Sequence, residues 1–329
     1  MKRFEAGSLV KHRTLGTGKV VAVEPDALHV FFPVSETRYA AKLRLPAAGA
    51  FLSLDEPDPD PQLEGLSTFT LDAASGRYAL AANFIGQAEA VAAYLGEHPE
   101  GFHPVAAPRA GAPRAGRRER WRAASATWAD TMEGGRSATL LDDGDDAGLV
   151  RRLLRIAEHA SAVPGMVERE ALAEALHPGP EVREFLHSLL GFLSVPSPAR
   201  ARFDKLAAAV RALAVPPEAA WPMVTFFPFV ARPDRHVLLL PRSACAGASR
   251  LGWDLAYQPT PNWATYQRLR GLSSRLLEQL APSGARDHVD VESFLHATSS
   301  QRPATAKRAR AVSRSPVAKS RRTPTRRAR

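Results

Sequence analysis

The chain has almost no cysteine. Cys245 stands alone among 329 residues, so no disulfide can close within the chain, and the composition suits a reducing compartment. Cys-x-x-Cys is absent, which removes the commonest thiolate zinc sites. No run approaches the roughly 20 apolar residues that a membrane helix needs. Met1 to Ala6 is rich in charge and leads into no apolar stretch, so no secretory leader is expected and the expected location is the cytoplasm. Acid is missing from residues 302–329, which hold eleven Lys and Arg and no Asp or Glu. No long internal repeat is visible.

That last absence decides how the net charge is read. The chain carries +10, and with eleven cations in the tail, residues 1–301 sum to about −1. A basic body would point to a nucleic-acid-binding fold, whereas a basic tail points to an electrostatic tether. The tail has no apolar core-former beyond Val312 and Val317, so it is expected to be disordered. Its candidate nucleic-acid contacts are Lys307, Arg308, Arg310, Arg314, Lys319, Arg321, Arg322, Arg326, Arg327 and Arg329. No aromatic is interleaved among them, so sequence readout by base stacking is not expected.

The first 54 residues read as β. Ser8 to His12 is a first strand, and Leu15-Gly-Thr-Gly-Lys19 is a turn whose glycines tolerate positive φ. Lys19 to Val23 is a second strand. Ala27 to Phe32 is a third, with Leu28, Val30 and Phe32 alternating against Ala27, His29 and Phe31. Arg38 to Leu43 is a fourth. Short strands with tight turns predict a small SH3-like or Tudor-like barrel over residues 1–54.

Residues 55–137 read as a linker. Asp55 to Pro61 is acidic and proline-rich. A hairpin is expected within 66–85 and a short helix over Gln87 to Leu95. Pro104 to Arg122, with six Arg and three Pro, reads as an exposed basic stretch joining a helix near Arg117.

Residues 138–300 read as mainly helical, and 301–329 as the basic tail. Asp142, Asp143, Asp145 and Asp146 precede an apolar pattern at helical spacing, as suits the positive end of a helix dipole. His236 to Leu240, bounded by Pro233 and Pro241, reads as a strand. Trp263, Tyr266, Leu269, Leu272, Leu276 and Leu280 define an amphipathic helix opened by Pro261-Asn262. The fold class is α+β: a small barrel, a helical domain and a tail.

The segment Gly7-Ser-Leu-Val-Lys-His-Arg-Thr-Leu-Gly-Thr-Gly-Lys-Val-Val-Ala-Val23, followed by His29-Val-Phe-Phe32, resembles a recurrent bacterial barrel. It is similar to the Tudor-like C-terminal module of UvrD/PcrA-type helicases and to the barrel of CarD-like regulators. The resemblance implies a protein-docking module that contacts RNA polymerase. It makes His12, Arg13, Leu15 and Lys19 the candidate partner-binding residues. No helicase motif accompanies it, so the motor activity is not implied. A phosphate-loop reading of Gly18-Lys19 fails, because Arg13 and Val20 stand where Gly and Ser or Thr are required.

A second block, from Trp221-Pro-Met-Val-Thr-Phe-Phe-Pro228 to Asp287-His-Val-Asp-Val-Glu-Ser-Phe294, resembles one found in bacterial proteins of no assigned activity. Within it, His236, Asp287, Asp290 and Glu292 are the candidate catalytic residues, since these types supply acid–base chemistry. Helix capping is the competing reading of the two aspartates. No metal site and no cofactor are expected. The reading these features favour is a non-enzymatic adaptor: the barrel docks a protein of the transcription or repair machinery, and the tail holds nucleic acid. Its rivals are a nucleic-acid-processing enzyme centred on His236 and Asp287–Glu292, and a purely structural protein.

Overall fold

The computed structural model describes residues 4–54, 60–103, 116–213 and 215–301. The tail candidates and most of the 104–122 stretch lie outside the described residues. The chain is α+β, with a curled antiparallel sheet, a half-barrel, at the N-terminal end and a mostly helical region after it.

The half-barrel has strands β1 (Leu9–His12), β2 (Gly16–Val23), β3 (Ala27–Phe31) and β4 (Ala41–Arg44), then helix α1 (Leu45–Phe51) and the short β5 (Leu52–Ser53). The strand order is β4-β3-β2-β1-β5. A register shift between Val20 and Ala22 bends β2, as an inserted residue does. Gly16 makes the β1–β2 turn at φ +70. Gly18 lies inside β2, and the Phe32 ring lies where its side chain would be.

The alternation seen in the sequence is real, but both faces are covered. Val10, Val20, Leu28, Val30 and Phe32 fill the concave side with Ala48 and Leu52. Phe31 on the other side packs with Leu63 and Leu80. The cover comes from the stretch after the sheet: α2 (Pro61–Glu64) and the hairpin of β6 (Thr70–Asp72) and β7 (Arg77–Ala79). Tyr39 donates to Asp72 at 2.9 Å, Arg77 donates to the Ala40 carbonyl at 2.9 Å, and Tyr78 meets the His29 ring edge-on.

Helix α3 (Gln87–Glu97) leads to the helical region: α4 (Arg117–Met132), α5 (Arg136–Asp142), α6 (Asp146–Glu158), α7 (Arg169–Ala175), α8 (Pro180–Leu193), α9 (Arg200–Ala212), α10 (Ala220–Ala231), α11 (Pro241–Arg250), α12 (Trp263–Leu280) and α13 (His288–Ser300). Every residue of α10 from Trp221 to Ala231 is buried, which makes it the centre of the core. Asn262 caps α12, accepting from the Thr265 amide at 2.9 Å. Tyr266, not the partly buried Trp263, carries that helix into the core, stacked on Phe203 at 4.8 Å. No helix among the described residues is long and apolar enough to cross a membrane.

Two sequence expectations need correcting. The run 236–240 is buried but forms no strand, because no neighbouring strand answers it; the Leu239 amide instead donates to the Thr225 hydroxyl. The helix expected near Arg117 is present, but residues 117–122, read as part of an exposed stretch, belong to it: it runs 16 residues and buries Trp121, Ala124, Trp128 and Met132.

Backbone bonds join the half-barrel's cover to the helical region. The Ser67 amide donates to the Gly252 carbonyl and the Asp254 amide to the Gly65 carbonyl, each at 2.8 Å. Helix α11 lies close on α13: a Cβ added at Gly247 would stand 2.5 Å from the Leu295 carbonyl oxygen. Gly247→Ala is therefore expected to cost about 1–3 kcal/mol from overpacking, although alanine is the better helix former. Urea unfolding measures this; an unchanged or higher midpoint would mean that the two helices are not in such close contact.

Candidate functional site

The acidic candidates lie at the start of α13, and their partners come from α4. In α4, Arg117 and Trp121 stand four residues apart, as do Arg118 and Arg122. Residues at that spacing share a helix face. Each pair answers one carboxylate. Glu292 takes Arg117 through Nε at 2.9 Å and Nη2 at 2.5 Å, and takes the Trp121 indole N–H at 2.6 Å. Asp290 Oδ1 lies 3.0 Å from Arg122 Nη2 and 3.6 Å from Arg118 Nε, ion-pair contacts that lack hydrogen-bond geometry.

Asp290 has no exposed surface. Its other oxygen accepts the Arg286 amide at 2.9 Å. Asp287 is the cap of α13: it accepts from the Val289 amide at 2.9 Å and pairs with Arg122. Capping thus falls to Asp287, while Asp290 serves as a buried counter-charge. Burial works against the Arg122 charge, but the bonds and attraction from Asp287 and Asp290 outweigh it and raise its pKa. Arg118 also donates to the Phe102 carbonyl at 3.2 Å, which fastens the chain after α3 to the same cluster.

His236 does not join these acids. Its Nδ1 lies 2.9 Å from the Tyr266 hydroxyl, and its ring meets Phe192 edge-on. Burial pushes the His236 pKa down to about 3 and holds Tyr266 above its ordinary value. His288, on the first turn of α13, is pushed down by burial to about 4. Neither imidazole is poised to exchange protons near neutrality. Among the described residues no group of three or more His, Cys, Asp and Glu is placed to hold a metal ion.

Arg117 also lines a cleft of 830 Å³ with Met166, Val167, Arg242, Tyr257 and His296. The volume is that of a small-molecule pocket. The guanidinium that reaches this cleft is already held by Glu292.

The docking candidates separate into two kinds. Arg13 is exposed at the tip of the β1–β2 hairpin, and Phe51, 49% exposed, stacks on His12. The His12 ring also holds the turn, with Nδ1 accepting the Thr14 and Leu15 amides. Leu15 is half-buried. Lys19 turns inward and donates to the Leu63 carbonyl at 2.8 Å, and burial lowers its pKa.

Arg117, Arg118, Trp121 and Arg122 escaped the sequence reading. Their four-residue spacing was visible, but it identifies no partner some 170 positions further along the chain.

Asp290→Asn would leave Arg118 and Arg122 short of a buried counter-charge. The expected loss is about 3–5 kcal/mol. Asp234→Asn, which breaks an exposed pair with Arg235, should stay within about 0.5 kcal/mol. Equal urea midpoints for the two variants would refute the assignment.

The buried imidazoles set a pH dependence. The unfolded chain protonates its histidines near pH 6.5, while the fold resists until about pH 3 at His236 and about pH 4 at His288. The unfolded state therefore binds more protons in that window. Their contribution is complete above pH 6.5 and is lost as pH falls toward 4 and below, each histidine adding a slope of up to about 1.4 kcal/mol per pH unit. His236→Gln should flatten the profile of unfolding free energy between pH 6.5 and 4. A profile parallel to that of the parent would count against a neutral, buried His236.

No family model matches the chain, and neither a curated protein nor a solved structure does.

Proposed function

We propose that the protein is a non-enzymatic, nucleic-acid-associated adaptor, in which the half-barrel docks a protein partner and the basic tail holds nucleic acid nearby. The observation that carries this reading is where charge is closed and where it is left open. In the body, Asp287, Asp290 and Glu292 are matched by Arg117, Arg118 and Arg122. In residues 302–329, eleven cations have no acid among them. Polyanions release counterions when such a segment meets them, and this term needs no fixed geometry.

The half-barrel supports the docking half of the reading. The β1–β2 tip is accessible, with Arg13 exposed, His12 half-buried and the exposed Phe51 of α1 stacked on His12. The resemblance to Tudor-like and SH3-like docking barrels makes RNA polymerase the proposed partner. Lys19 is left out of this surface because its ammonium is bonded internally. Tethering by the tail would raise the local concentration of a nucleic-acid-bound partner.

The test is fluorescence anisotropy with a mixed-sequence oligonucleotide at several salt concentrations. The full chain should bind without sequence preference, with affinity falling steeply as salt rises. Deleting residues 302–329 should remove most binding at low salt. Unchanged affinity after deletion would overturn the tail assignment. For docking, Arg13→Glu with Phe51→Ala should abolish binding to purified RNA polymerase while leaving oligonucleotide affinity intact; undiminished polymerase binding would overturn the docking assignment.

A further inference from the structure

Away from the α4–α13 cluster, the other end of α4 helps to form a recess of 500 Å³. Its walls are the last turn of α4, the start of α5 and the outer face of α6. Four arginines line it: Arg136, Arg151, Arg152 and Arg155. They meet only two carboxylates there, Asp130 and Asp145.

The two acids do not answer the arginines. Asp145 caps α6, accepting the Gly148 amide at 2.8 Å. Asp130 makes no ion pair with any of the four among the described residues. Two arginines are fixed by carbonyl groups: Arg136 donates to Glu133 at 2.6 Å, and Arg152 donates to Thr131. These bonds orient the guanidinium groups without neutralising them. Arg151 and Arg155 are exposed and have no hydrogen-bond or ion-pair partner among the described residues.

This arrangement costs stability in the free protein. Arg151 and Arg155 are like charges at i and i+4 on one helix, a pairing that is mildly unfavourable. Arg152 and Arg136 add to the same field. A bound oxyanion would relieve that repulsion. Guanidinium groups match phosphate with paired N–H donors, which a single small anion such as chloride cannot use. The recess has room for more than one phosphate group. No aromatic ring lines it, so a nucleobase would find no stacking surface.

We propose that this recess is a phosphate-binding site, in which Arg151 and Arg155 grip the ligand while Arg136 and Arg152 supply fixed positive charge. The ligand class is a compound with adjacent phosphate oxyanions. Two sources offer that chemistry: the backbone of a nucleic acid, and a free polyphosphate. The site is independent of the tail and places an anion contact on the folded body.

Thermal unfolding of the full chain tests the proposal, because it separates the recess from the tail. A ligand that binds only the folded state raises the midpoint. Contacts made by the tail alone, shared by folded and unfolded chains, should move it little. Inorganic pyrophosphate, against sodium chloride at equal ionic strength, should raise the midpoint of the parent with saturable dose dependence. The Arg151→Ala/Arg155→Ala double variant, whose folding is checked by circular dichroism, should bind at least tenfold more weakly. Arg151→Lys/Arg155→Lys, which keeps charge but loses the fork, should fall between them. A single-stranded 12-mer that also raises the parent's midpoint, and not the double variant's, would assign the site to the nucleic-acid backbone. A rise with pyrophosphate alone would assign it to free polyphosphate. No saturable shift in the parent, or an equal shift in the double variant, would overturn the proposal while leaving the tail reading untouched.

Discussion

A carboxylate taken out of water needs its charge answered on the spot, and the helical region is arranged around that need. Asp290 is fully buried and Glu292 nearly so. Dehydration penalises each ion by several kcal/mol, and only close, well-bonded partners offset it. Those partners come from one helix, α4, in two pairs four residues apart. The consequence is long-range. The pairing fixes the axial register of α4 on α13, since a shift of one residue would aim the guanidinium groups elsewhere. Trp121 then meets Phe226 and Phe229 of the buried α10. Gly247 lets α11 close on the other side of α13, and the His288 amide bonds the Pro233 carbonyl, tying the loop after α10 to the same point.

The same constraint explains why residues suited to acid–base chemistry are poorly placed to perform it. Asp287 holds an amide and an arginine. Glu292 holds an arginine and an indole. His236 faces a tyrosine in a desolvated core, on a segment whose backbone is held by Thr225. In the recess between α4, α5 and α6, Arg136, Arg151, Arg152 and Arg155 have no ion-pair partner among the described residues. The tail adds charge of the same sign. In the proposed function, both features engage polyanions, one through a shaped surface and one through charge alone.

Local patterns were legible in the sequence, and pairings between distant segments were not. The strands of the half-barrel were visible because alternation and the Gly16 turn are local signals. Asn262 and the apolar face of α12 were visible for the same reason. The cover of the half-barrel's second face was not, because Leu63, Tyr78 and Leu80 lie in stretches whose composition reads as linker and hairpin. The arginines of α4 looked like surface charge, since composition carries no information on what a charge meets. Asp290 resembled a cap because it sits one turn into a helix; three residues earlier, Asp287 does that work. The run 236–240 looked like a strand because a short apolar run with flanking prolines satisfies the strand pattern whether or not a partner strand exists.

The claim that the α13 acids act as structural counter-charges is tested most directly by a double-mutant cycle on Arg117 and Glu292, with Arg117→Gln, Glu292→Gln and the double variant unfolded in urea at pH 7. The account predicts a favourable coupling on the order of 1–3 kcal/mol, so that the second substitution costs much less once the first has been made. Additive losses, with coupling indistinguishable from zero, would contradict it.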